Sequence, residues 1–144
     1  MFDHFIVPVD LSDRNTAAIR TALELARAGK GFITLLHVVE TLDLPYEEVS
    51  DFYDRLEARA ARRLEELSRP LADADMEFER LVLFGDPAEE IIEFAAQAAK
   101  ALIVLQSHRV DPAQPTVGWA TLSYKVAILA DSPILLVKRD PTEA

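Results

Sequence analysis

Apolar residues in this chain fall into two patterns: short unbroken runs, and longer stretches in which they recur every three or four positions. The first run, Phe5-Ile6-Val7-Pro8-Val9, is bounded by polar residues and predicts a strand over 5–9 with both faces covered. It stops at Asp10, and Ser12 with Asp13 supplies N-cap chemistry for a helix on which Ile19, Ala22, Leu23 and Ala26 share a face. Gly29 and Gly31 are expected to end that helix. Residues 32–39, interrupted only by Thr34 and His37, predict a second buried strand, and 40–45 a connector. Val49, Phe52, Tyr53, Leu56, Ala60, Leu64, Leu67 and Leu71 then form one stripe along a long helix, which Pro70 should kink or end near its last turn.

Residues 76–84 alternate at first and then become continuously apolar, as suits a half-exposed strand at a sheet edge. In Gly85-Asp86-Pro87-Ala88-Glu89, Asp86 is placed as N-cap, Pro87 as first helical residue and Glu89 as the reciprocal acid of a capping box. Ile91, Ile92, Ala95 and Ala99 give that helix its buried face. A fourth strand is predicted over 102–105. A loop holding Asp111, Pro112, Gln114 and Pro115 follows, and then helical spacing through Leu122, Val126 and Leu129. Ser132-Pro133 breaks that helix before a last strand over 134–137 and a charged tail from Lys138 to Ala144. Strands alternating with helices throughout predict a parallel sheet with right-handed crossovers and helices on both faces. In such a sheet the ligand site lies beyond the carboxyl ends of the strands, which draws attention to the stretch from Ala101 to Ser123.

Composition narrows the function. A chain of 144 residues is read as one domain, 1–144, large enough to bury roughly 70% of its unfolded surface. With no cysteine it has no disulfide, thiolate metal site or Cys nucleophile. A formal charge of −10 argues against nucleic acid and anionic membranes as partners. No apolar run approaches the roughly 20 residues of a membrane span, so a soluble, cytoplasmic protein is expected. The histidines at 4, 37 and 108 show no metal-ligand spacing, and no Ser or acid stands beside His37 to suggest a catalytic pair. His108, Arg109 and Asp111 share a loop without forming a recognisable acid–base set, and an enzyme is not expected. Arg55, Arg59, Arg62 and Arg63 among acids read as a solvated helix face with i,i+4 pairs.

Several stretches, in order and spacing, resemble the universal stress protein family over essentially the whole chain. Ile6-Val7-Pro8-Val9-Asp10 with Ser12 is similar to the family's first strand and turn, and Leu35-Leu36-His37-Val38-Val39 to its second strand. Gly85-Asp86-Pro87-Ala88 resembles the turn before its third helix. The segments 121–126 and 132–137 resemble its last helix and strand. The resemblance implies an α/β fold, an open five-stranded parallel sheet of order 3-2-1-4-5 with helices on both faces. It also implies a stress-response module and a homodimer formed through the last strand. Ile134 to Val137 would otherwise leave an apolar edge unpaired.

Nucleotide-binding members carry G-x-x-G, nine residues, then G-[ST], where glycines let backbone N–H groups approach phosphates and a helix N-terminus adds positive charge. Here Gln106, Arg109 and Ala120 stand at the glycine positions, with ten residues between the last two. The crevice is therefore expected to be degenerate, without tight ATP binding and with no cofactor required. The alternative is an adenine nucleotide, ATP with Mg, held by a non-glycine variant of the turn. By the same resemblance, Pro8, Val9, Asp10 and Val38 would contact the nucleoside, and Ser107, Arg109, Thr121 and Ser123 the phosphates. Each residue also has a plainer use. Asp10 can cap the first helix instead of holding a ribose hydroxyl, and Val38 can be core. Ser107, Thr121 and Ser123 can bond local backbone. Arg109 can supply charge or fill the phosphate pocket.

Overall fold

The computed structural model describes residues 1–41, 43, 45–107 and 122–138. Five strands, β1 (His4–Pro8), β2 (Phe32–Glu40), β3 (Phe78–Gly85), β4 (Ala101–Gln106) and β5 (Ile134–Val137), form one sheet in the order β3-β2-β1-β4-β5. Every pairing is parallel, with His4 opposite Phe32 on one side and Ala101 on the other. Among the described residues five α-helices connect or flank them: α1 (Thr16–Gly29), α2 (Tyr46–Leu67), α3 (Arg69–Asp73), α4 (Pro87–Gln97) and α5 (Leu122–Leu129). Among the described residues no helix is long and apolar enough to cross a membrane.

The unbroken apolar runs arise because the central strands bury both faces, so successive residues supply two different cores. Phe5, Val7 and Val9 face one layer with Ile33, Leu35 and Val104, against Ile19 of α1, Leu64 of α2 and Leu71 of α3. Ile6, Leu36, Val38, Ile103 and Leu105 face the other, against Ile91 of α4 and Val126 of α5. Strand β3 has no fully buried residue, in keeping with its predicted edge position.

Local departures from expectation have physical causes. The long helix ends at Leu67, and Pro70 falls in the first turn of the separate α3. The break is fixed at buried Ser68, whose Oγ donates to the Glu65 carbonyl at 3.0 Å and accepts from Arg80 Nε at 2.8 Å. The left-handed residue closing α1 is Lys30, not a glycine (φ 56°), while Gly31 is required because a Cβ there would lie 2.6 Å from the Phe5 ring. Asp86 caps α4 by accepting from Glu89 N at 3.0 Å, as predicted. Ala99, expected on the buried face of α4, lies past the helix end and is exposed. On α5 only Val126 is buried. Leu129, expected on the same face, is 63% exposed.

Candidate functional site

Strands β1 and β4 are neighbours, and the described helices that come next after each, α1 and α5, pack on opposite faces of the sheet. The divergence opens a cleft of about 400 Å³ at their carboxyl ends, within the size range of small-molecule sites. Leu36, Val38, Ile91 and Leu105 give it an apolar floor, and Asp10, Arg14, Asn15, His37, Gln106 and Ser107 give it polar walls.

The first lip is organised by Asp10. Its Oδ1 accepts from the Ser12 backbone N–H at 2.9 Å, from the Ser12 hydroxyl and from Asn15 Nδ2 at 3.0 Å. Ser12 Oγ in turn accepts from Arg14 N at 3.1 Å, capping the 3-10 turn Asp13–Asn15 that leads into α1. Burial alone would raise the Asp10 pKa. The bonds from Ser12 and Asn15 and the charge of Arg14 outweigh it, so the carboxyl sits below its ordinary value. Among the described residues Oδ2 takes no hydrogen bond. Asp10 does not itself cap the first helix: it ties the loop at Ser12 and Asn15, and Ser12 caps the 3-10 turn.

His37 Nδ1 lies 2.8 Å from the Val9 carbonyl. A carbonyl only accepts, so Nδ1 carries a proton, and the ring joins β2 to the residue that follows β1 at the cleft wall. The Val38 side chain is core, in the layer with Ile6 and Ile103, and the residue also lines the cleft. At the second lip Gln106 Oε1 accepts from Ala18 N at 3.0 Å and its Nε2 donates to the Val137 carbonyl at 3.2 Å. The residue at the first glycine position therefore bridges the first turn of α1, whose N-cap Asn15 makes no side-chain cap bond, to the end of β5. Ser107 N donates to Val137 O at 2.8 Å, and Lys138 Nζ donates to Ser107 Oγ at 3.1 Å.

Pro8, Val9, Asp10, Val38, Ser107 and Ser123, named from the resemblance, line this one cleft. Arg109 and Thr121 lie outside the described residues, as do His108, Asp111 and Ala120. The resemblance places Gln106 at the site only as a glycine replacement, and nothing in the sequence reading points to Arg14, Asn15 or Lys138 as contributors. Arg14 and Asn15 follow Asp10 within one turn, a proximity that could have brought them in. The reach of Gln106 across 88 residues had no sequence signal.

The profile of the universal stress protein family matches residues 1–138. Universal stress protein YxiE of Bacillus subtilis is 26% identical over 149 aligned positions, covering 96% of this chain and 100% of that protein. Universal stress protein UspA from Lactobacillus plantarum superposes with a TM-score of 0.75 at 21% identity, covering 94% of this chain and 97% of that one. A universal stress protein family protein from Arabidopsis thaliana, solved with AMP bound, gives a TM-score of 0.69 at 20% identity over 98% of this chain and 94% of its own.

Proposed function

The chain belongs to the universal stress protein family, and from that premise we propose that it is a dimeric, non-catalytic binding module whose crevice takes the adenine nucleoside of a nucleotide while holding the phosphates weakly. The observation that carries this reading is the pairing of an apolar floor, Leu36, Val38 and Leu105, with Asp10 at the lip, whose Oδ2 takes no hydrogen bond among the described residues. A flat heterocycle suits the floor, and a charged acceptor suits a ribose hydroxyl. The related protein solved with AMP is consistent with it. Weak phosphate binding follows from the second lip. Gln106 commits its amide to Ala18 and Val137, and glycine is replaced by Arg109 and Ala120 where close backbone approach would be needed.

Calorimetry with AMP and with ATP plus Mg tests this, alongside the ultraviolet spectrum of a denatured extract. An extract without nucleotide is expected, as are AMP and ATP affinities within about tenfold of each other, that is, about 1.4 kcal/mol. The Asp10→Asn variant should lose about tenfold for both, the value of a charge-assisted bond. Stoichiometric ATP in the extract would establish instead the non-glycine ATP site built on Ser107, Arg109, Thr121 and Ser123. No heat with either nucleotide would leave a module acting through its surface alone.

A further inference from the structure

On α2, Arg55, Arg59 and Arg63 stand four residues apart with Arg62 beside them. Like charges at this spacing are neighbours on the helix surface and oppose the helix. The expectation of i,i+4 pairing with acids of the same helix is not met. Among the described residues only Arg63 is paired: Nη1 donates to Glu66 Oε2 at 2.7 Å, Nη2 to Asp13 Oδ1, and Nε to the Leu11 carbonyl at 2.9 Å. Arg59 and Arg62 make no ion pair among the described residues. With Arg63 they line a groove of about 360 Å³ whose other wall is Leu11, Ser12 and Asp13.

We propose that this groove is a second binding site, distinct from the crevice, for a small phosphate-bearing dianion. Three guanidiniums face two carboxylates, Asp13 and Glu66, so the lining carries a net positive charge, and because both acids are bonded to Arg63, Arg59 and Arg62 keep their donors turned to no acid among the described residues. Guanidinium keeps its charge at any physiological pH and matches phosphate oxygens with paired N–H donors. The net charge of −10 repels extended polyanions at a distance, which selects a compact ligand over nucleic acid. The groove and the crevice lie on either side of one loop: Ser12 and Asp13 line the groove, Asp10 and Arg14 the cleft.

The test is calorimetry at fixed ionic strength with pyrophosphate and with glycerol 2-phosphate, which separate a diphosphate from a phosphomonoester. The proteins are the natural chain, Arg59→Gln/Arg62→Gln, and Arg20→Gln/Arg27→Gln as a control of equal charge change on the exposed side of α1. Binding of at least one probe is expected, weakened about tenfold or more in the α2 variant and less than about twofold in the control. Unchanged AMP titration of the α2 variant, or equal absence of AMP heat in both proteins, would separate this site from the crevice. Failure of both probes to bind the natural chain, or equal losses in the two variants, would overturn the proposal.

Discussion

Asp10 divides its two oxygens between the loop and the cleft, and the consequence is measurable without any ligand. Oδ1 holds Ser12 and Asn15, so Asp10→Ala at pH 7 should cost about 1–2 kcal/mol in urea unfolding, the scale of lost hydrogen bonds to a charged group. Because its folded pKa is depressed below 3.8, the contribution is present above that value and lost as pH falls through the folded pKa. Asp10→Asn should therefore flatten the acid limb of the stability profile. His4 acts in the same direction in a window nearer neutrality. Its Nε2 lies 2.7 Å from Thr34 Oγ1, and Thr34 gives its only hydroxyl proton to Glu79 at 2.9 Å, so the histidine donates. Burial lowers its pKa from 6.5 against the opposing charge of Glu79. Below 6.5 the unfolded chain binds more protons than the folded one, so stability should fall as pH drops from 6.5 to the depressed folded value and then level off. His4→Gln keeps a donor toward Thr34 and should remove that slope in melts between pH 7 and 5.

Among the elements, α1 is tied to the far side of the sheet by Gln106. Gln106→Ala leaves the Ala18 N–H and the Val137 carbonyl without that partner and should cost about 1–3 kcal/mol in thermal or urea unfolding. A loss below about 0.5 kcal/mol would show that water replaces the amide at both ends. The element types were legible because strand runs and helical stripes report burial directly: 134–137 was placed to the residue, and Asp86 with Pro87 announced α4. Boundaries set by distant partners were not. Ser68 ends α2 two residues ahead of Pro70 through a bond from Arg80 on β3, and Lys30 rather than Gly29 or Gly31 takes the left-handed position. The crevice was legible by the same division. Its place follows from strand order, and its apolar floor from the runs. The cross-links of Gln106 and Lys138 join segments the sequence keeps far apart, and local pattern carries no trace of them.

For the whole molecule, the two edges of the sheet are built differently. Strand β3 presents exposed Glu79 and Arg80, charges that discourage pairing with another chain. Strand β5 is uncharged throughout, with Leu135 37% exposed, and the neighbouring α5 leaves Ile128 and Leu129 64% and 63% exposed. The dimer we propose would cover this edge, where Leu135 lies on the same face of the sheet as Val137 and α1, and the exposed residues of α5 lie on the other. The natural chain should then sediment as a dimer at micromolar concentration. A lysine at Leu135 places a charge on the edge at a position already partly in water, and Ile128→Glu does the same on the helix. Each should shift the equilibrium toward monomer while far-ultraviolet circular dichroism stays unchanged, because neither side chain belongs to the buried layers around Ile103 and Val104. A monomeric natural chain would exclude the dimer. A dimer indifferent to both substitutions would move the interface off this edge, for instance to the β3 edge, where charge reversal at Arg80 would then be the variant that acts.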